Sequence, residues 1–377
     1  MLLQAIKLLN HNKTTIFTSG AFVTKNLEET IAHNSIAWKY TPELSLDGYR
    51  FLYILAKKRP LQQFSSDEGK YISLSDQIEA HMKALATSRV DTSTAELEDV
   101  VPLSVLSAFY HERELAMNNL QKTTNFGEDY EALHRAHILS ETISQNRLSI
   151  SSSNYPHYIK YDIFGTATGR LATSPGSFPI LTLGRDQRSL LRPQNDLFVE
   201  LDLNSAEIRM LLALSGAPQP PGDIHRWNLD NITNKTTTRQ KMKEIFFAWL
   251  YNPSMKDALI EKYYNRNAFL HYWSNGVLKT PYGREMEVDQ RKALNYLLQS
   301  TTSDMVLENV YKILTFLKDK KSFISFTMHD SVVLDFDRTE HAILKDIKFL
   351  FESGRFGKFP CSVAIGKNYA EMREVEI

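Results

Sequence analysis

The sequence predicts an α+β fold, on three observations. Strand-like runs rich in β-branched and aromatic residues stand at 197–203 and 322–336, and the long stretches between them space apolar residues three and four apart. The third is length: 377 residues exceed one ordinary domain, so two or three compact units are expected.

The elements follow in order. KTTIF at 13–17 reads as a strand and 74–87 as a helix. Two longer helical patterns span 104–121 and 127–144, broken at Asn125, Phe126 and Gly127; so short a link predicts an antiparallel pair. Residues 147–164 turn strand-like and lead into the turn-rich FGTATGRLATSPGSFP. The apolar run Leu197–Leu203 is a strand, and SAEIRMLLALSG after it is a helix closed by Gly216. Helical spacing returns over 238–251, 254–275 and 289–317. SFISFTMHDSVVLDF reads as two strands around a tight turn at His329 and Asp330, followed by a helix at 340–352 and a strand at 361–365.

Composition narrows the class. Apolar residues make up 42%, enough for sizeable cores, while a mean hydropathy of −0.33 goes with no apolar run near the ~18–20 residues of a membrane span. The opening MLLQAIKLLNHNK has neither the charged start nor the small-residue cleavage site of a signal peptide. Cys361 is the single cysteine, so no internal disulfide can form, and the expected location is a reducing cytoplasm. Lys plus Arg and Asp plus Glu both total 44, so no basic excess marks a nucleic-acid partner; a basic cleft and an acidic back surface are compatible with that sum.

Two aspartates draw attention. Asp202 ends an apolar strand, and Asp330 stands at a hairpin apex, each carboxylate carried on backbone that wants burial. Paired carboxylates on rigid elements suit Mg²⁺, which takes one or two of them together with water and substrate phosphates. Taken singly, each has a plainer reading: a charge favourable near a helix N-terminus, and a turn former. Between them, TTRQKMKEIFFAWLYNP places Arg239, Lys243, Phe247 and Tyr251 at intervals of four, a slowly winding stripe about 18 Å long on one helix face. Cations at its N-terminal end suit a triphosphate, and the rings beyond suit a base or sugar. The competing reading is an amphipathic helix with solvated cations and aromatics packed inward.

This stripe, with TATGRL ending at Arg170 and Leu171, DLNSAEIR from Asp202 to Arg209, DIH at 223–225, KTPYGR at 279–284, Asn295, Gln299 and Asp304, and MHDSVVLDF, resembles the ordered motifs of family-A DNA polymerases. These include the bacterial DNA polymerase I group and its phage relatives, and the resemblance covers roughly residues 150–377. It implies a right-hand polymerase fold: an antiparallel palm sheet with helical fingers and a helical thumb. Implied divisions are 1–100 of other role, 101–190 thumb and connection, 191–222 palm, 223–288 fingers, and 289–377 palm.

The implied roles are specific. Asp202 and Asp330, with the carbonyl of Leu203, would hold two Mg²⁺ ions, with Mn²⁺ able to substitute. His225, Arg239 and Lys243 would bind the dNTP triphosphate, Lys243 also serving catalysis, and Phe247 and Tyr251 would shape the nascent pair. Glu207 would crowd the 2′ position; as the third residue after Asn204 it also reads as a capping-box glutamate. Arg170 and Gln299 would read the minor-groove edge of the primer end, whose acceptors recur in every base pair. His329, Arg284 and Asn295 would also meet primer-template DNA.

Departures from the pattern are informative. Ser331 stands where the motif usually has Glu, ATSPGSFPIL lacks the usual Asn and Gln, and Phe247 goes with rejection of dideoxynucleotides. Asn252 replaces a Gly and is expected to close its helix in the left-handed conformation, with Pro253 after it. No proofreading exonuclease is expected: Asp-x-Glu occurs ahead of the motifs only at Asp129 and Glu131, in a helical first turn. Residues 1–100 would be a relic of that domain or a docking module for a replication accessory protein. The rival readings are a single-subunit RNA polymerase, which Glu207 opposes, and a catalytically idle DNA-binding accessory.

Overall fold

The structure, a computed structural model, describes residues 3–7, 14–18, 21–23, 37–40, 61–88, 101–123, 128–151, 154–233 and 237–377. The chain divides into two compact units, Met1–Phe126 and Gly127–Ile377, and its fold is a mixed α+β one.

In the first unit, strands β1 (Leu3–Lys7), β2 (Thr14–Thr18), β3 (Ala21–Val23) and β4 (Ala37–Tyr40) form a sheet in the order β3-β2-β1-β4. Helices α1 (Glu68–Ser88) and α2 (Leu103–Thr123) share a core of Tyr71, Ile78, Leu106, Phe109 and Tyr110. The expected break at 125–127 lies outside the described residues. Helix α3 (Glu128–Gln145) opens the second unit, so the two helices read as a pair belong to different units.

The second unit is organised by a five-stranded antiparallel sheet. Its strands are β5 (Leu197–Leu203), β6 (Phe323–Met328), β7 (Ser331–Phe336), β8 (Cys361–Gly366) and β9 (Arg373–Val375), in the order β6-β7-β5-β8-β9. β5 is central, so both of its backbone edges are paired, which suits the β-branched and aromatic character of LFVELDL. Val199, Leu201 and Leu203 point to one face and are at most 1% exposed, whereas Phe198, Glu200 and Asp202 point to the other and grade from buried to exposed. Leu201→Ala would leave a core cavity costing about 2–5 kcal/mol. Helices α4 (Ala206–Leu214), α5 (Ile224–Ile232) and α6 (Arg239–Tyr251) follow β5. Helix α7 (Gln290–Phe316) packs on α3 and on α8 (Leu344–Glu352), and α8 rests on β5 and β8. No helix among the described residues is long and apolar enough to cross a membrane.

Gly216 closes α4 as expected. At φ 68° it sits in the left-handed region, with its N–H on the Ala213 carbonyl and the Ala217 N–H on the Leu212 carbonyl. Four expectations need correction. Residues 254–275 are not one helix but the turn Ala258–Glu261, the 3₁₀ segment Arg266–His271 and the strand Trp273–Ser274. The side chains of Asp257 and Asn265 restart the chain by capping, and Asn275 and Gly276, with φ of 52° and 81°, form a two-residue hairpin turn. Asn252 is extended (φ −104°, ψ 104°) rather than left-handed, because Pro253 drives the residue before it out of helical space. Among the described residues of 147–164 only Ser149–Ile150 and Tyr161–Asp162 are strands. The helix expected at 340–352 is the 3₁₀ segment Arg338–Ile343 and then α8; the break falls at Glu340, whose carboxylate accepts the N–H groups of Lys321 and Ser322.

Candidate active site

The two aspartates meet through backbone pairing. Ser331 lies directly opposite Asp202 in the β5–β7 register, and the Leu203 N–H donates to the Asp330 carbonyl at 3.1 Å. The hairpin apex is thereby pinned to the end of β5. The loop between Met328 and Ser331 has only two residues, and His329 takes φ 49°, a region that hairpins usually fill with Gly, Asn or Asp.

Electrostatically this corner is dominated by negative charge, with the Arg188 guanidinium acting on Glu200. Asp202 keeps solvent access, yet the protein around it excludes much of its water. That desolvation, and then the negative charges of Asp330, Glu200 and Glu374, pushes its carboxyl up to about 7. Among the described residues no Lys or Arg forms an ion pair with Asp202, Asp330 or Glu200. Nor do three His, Cys, Asp or Glu side chains among them meet closely enough to form a metal cage. Two carboxylates with open space around them fit a hard cation that keeps water and takes substrate oxygens, and do not fit a closed structural site.

Beyond β5, Ser205 enters α4 in the left-handed conformation and makes no side-chain cap bond. The capping-box reading of Glu207 therefore fails. Its carboxylate instead accepts Arg170 Nη2 at 2.5 Å and the Tyr251 hydroxyl. Arg209, 1% exposed, donates to the carbonyls of Asn204 (3.1 Å), Pro220 (3.0 Å) and Gly222 (2.5 Å). It thus ties the end of the aspartate segment to the start of α5. There Asp223 caps the helix by accepting the N–H groups of His225 and Arg226, and its second oxygen accepts Arg239 Nε at 2.7 Å.

The stripe on α6 faces away from the core, which Met242, Phe246, Trp249 and Leu250 fill. Phe247 and Tyr251 stack on each other with centroids 6.0 Å apart and planes at 11°, and Phe247 also meets the His225 ring. The inward-packing reading of these two aromatics is therefore overturned. His225 is 3% exposed, and its Nδ1 has no partner among the described residues. Burial and then the Lys243 charge hold its imidazole down at about 4, so it is neutral near pH 7.

A cleft of about 230 Å³ collects Arg170, Glu207, His225, Lys243, Phe247, Gln299, His329 and Asp330. Asp202 and Leu203 join it through the β5 pairing, and Tyr251 through Glu207. Arg239 is on Asp223 and does not line it. Arg284 and Asn295 are also elsewhere. Asn295 lines a separate cleft of about 550 Å³ with Tyr251. Arg284 grips the buried carboxylate of Asp304 at 2.7 and 3.3 Å. Gly169 makes room for that pair: at φ 75° it presses on the guanidinium, and a Cβ there would overlap it. Ser303 Oγ, donating to the Gly169 carbonyl, ties this turn to α7.

Sequence reasoning missed Glu200, Tyr369 and Arg188. Tyr369 Oη donates to Glu200 Oε1 at 3.2 Å, and the Arg188 guanidinium lies 5.1 Å from the Tyr369 ring centroid. A signal for Glu200 existed, since it stands two residues before Asp202 on a strand and so shares its face. Tyr369 and Arg188 had none, because only long-range folding brings them there.

No known family's sequence pattern and no curated protein sequence matches this chain. Among solved structures, the chain is similar to one described as the POL domain of Pol1 from M. smegmatis in complex with DNA primer-template and dNTP. The likeness has 15% identity and a TM-score of 0.48, and covers 85% of this chain and 67% of that one.

Proposed function

We propose that this chain is a template-directed DNA polymerase of the family-A, phage-related type, adding dNTPs to a primer 3′ end. One observation carries the reading: a single cleft holds Asp330, backbone-tied to Asp202, together with a buried histidine from α5 and a lysine and an aromatic from α6. Carboxylates at one end and cations at the other are what nucleotidyl transfer needs, since its catalysis is mostly positioning and charge neutralisation.

In this reading Asp202, Asp330 and the Leu203 carbonyl hold two Mg²⁺ ions. Bound there, divalent ions supply Lewis-acid stabilisation to the attacking and leaving oxygens. Lys243, His225 and Arg239 bind the triphosphate, and Lys243 offsets charge on the departing pyrophosphate. The stacked Phe247 and Tyr251 form a wall for the nascent base pair. Glu207, immobilised by Arg170 and Tyr251, occupies the space a 2′-hydroxyl would need. Gln299 and Arg170 meet the minor-groove edge of the primer end, and His329 the primer terminus. The sheet with β5 and β7 serves as the palm, residues 223–288 as the fingers, and residues 101–190 as the thumb and its connection. Asp129 and Glu131 sit in the first turn of α3, Glu131 paired with Arg135 at 2.8 Å, so they are read as helix-terminal charges rather than as exonuclease ligands.

Primer extension with Mg²⁺ tests the proposal. The wild-type chain should extend a primer, and Asp202→Ala and Asp330→Ala should each lose on the order of 10³-fold in rate, the equivalent of several kcal/mol of metal-mediated stabilisation. Wild type extending no better than Asp330→Ala would replace this reading with that of an idle DNA-binding relative.

A further inference from the structure

Arg170 reaches the cleft from a turn rather than from a helix or a strand, and a side chain so carried keeps one position only where its backbone is tied down. Two ties meet at Gly169, the residue before it. Ser303 Oγ donates to the Gly169 carbonyl at 3.3 Å. The Arg284 guanidinium lies against Gly169 so closely that a Cβ there would overlap Nη2, Cζ and Nη1. Arg284 is itself held. Asp304 accepts its Nη2 at 2.7 Å and its Nε at 3.3 Å, and its backbone N–H donates to Thr280 Oγ1 at 3.2 Å. Ser303 and Asp304 are consecutive on α7, and Gln299 stands one turn before Ser303 on the same helix face. Gln299, Ser303 and Arg170 line one cleft. Helix α7 therefore carries Gln299 directly and Arg170 by way of Gly169.

We propose that Arg284 is a positioning residue for nucleotide incorporation: locked on Asp304, it clamps the turn at Gly169 and fixes Arg170 in register with Gln299 at the primer end. This deepens the polymerase reading and rests on it. Arg284 does not line the cleft and acts only through Gly169 and Arg170. Stability does not account for the pair, because a buried ion pair adds little over apolar residues of like volume. Its geometry does. A two-point grip sets both where the guanidinium sits and how it is turned, which a point charge cannot do. The effect extends to Glu207, whose carboxylate accepts Arg170 Nη2 at 2.5 Å.

The test is a double-mutant cycle in single-nucleotide incorporation by the full chain on a matched primer-template. Arg284→Lys keeps the charge opposite Asp304 and gives up the fork. It should lower kcat/KM by about 10-fold in the wild-type background, as small misplacements of a positioned group do. In an Arg170→Ala background, with no guanidinium left to place, the same change should cost less than about twofold. A merely structural role would lower both backgrounds by the same factor, and that result overturns the proposal. So does Arg284→Lys falling within about twofold of wild type. Hydrogen exchange gives a readout that needs no activity. The Gly169 N–H, which donates to the Thr166 carbonyl, should exchange about 10-fold faster in Arg284→Lys, and unchanged exchange overturns the clamp. Wild type extending a primer no better than Asp330→Ala ends the polymerase reading and this role with it, even where exchange shows the clamp. If thermal denaturation shows that Arg284→Lys fails to fold, Ser303→Ala carries the same comparison. A loss of about two- to tenfold is then expected, confined to the background that keeps Arg170, and an unchanged rate overturns the proposal.

Discussion

Asp223 both caps α5 and holds Arg239, its carboxylate accepting the Arg239 Nε at 2.7 Å. A cation that the polymerase reading gives to the triphosphate is thus held by a carboxylate outside the cleft. Asn is as good a helix cap as Asp but carries no charge. Asp223→Asn should therefore keep the fold and release Arg239, lowering the dNTP KM by about two- to fivefold, since a half-exposed pair is worth no more than about 1 kcal/mol. Steady-state kinetics with a fixed primer-template would measure it, and an unchanged KM would mean that Arg239 does not bind nucleotide.

His225 supplies a pH signature. Its imidazole sits at about 4 in the folded chain, owing to burial and then to Lys243, against about 6.5 when unfolded. A depressed pKa contributes stability that is complete above 6.5 and is lost as pH falls toward 4. Over that window His225 should therefore lower the melting temperature of wild type, against the opposite contribution of Asp202, whose raised carboxyl favours the folded chain as pH falls, and His225→Gln should lose less stability than wild type between pH 6.5 and 4. Thermal scans across that pH range decide the point.

Glu207 is fixed from two sides, by Arg170 and by Tyr251. Glu207→Ala should reduce discrimination of dNTP over rNTP by about 10- to 100-fold, the value of removing a clash of 1–3 kcal/mol. Tyr251→Phe leaves Arg170 as anchor and should give a smaller loss. Single-nucleotide incorporation with matched dNTP and rNTP gives both ratios.

Gly169 meets two requirements at once, a left-handed backbone and close contact with Arg284. Gly169→Ala should destabilise the chain by at least about 1–3 kcal/mol, with further loss as the Arg284–Asp304 pair is displaced. Denaturant unfolding measures this, and a neutral result would show that the turn can shift freely.

Much of the second unit was legible because short-range physics settles it. Alternation in LFVELDL and around His329–Asp330 marks strands, and the four-residue intervals from Arg239 to Tyr251 mark a helix face. That face could be assigned to the cleft only once Phe246 and Trp249 were seen to fill the core. The misreadings came from neighbours that override local pattern: Pro253 sets the conformation of Asn252, and Asn275–Gly276 turn a helical spacing into a hairpin. Asp202 and Asp330 were visible as chemistry, but Glu200 acquires its partner only from the fold, since Tyr369 lies 169 positions from it. Pairing across such separations leaves no periodic trace.

The left-handed His329 sets two selections against each other. A glycine would adopt that turn without the ~1–2 kcal/mol that an L side chain gives up there. Screening for heat resistance should therefore favour His329→Gly, and the same change would strip the imidazole from the mouth of the cleft. A thermostabilised variant of this chain would gain robustness at the apex that sets its two aspartates, and lose output there.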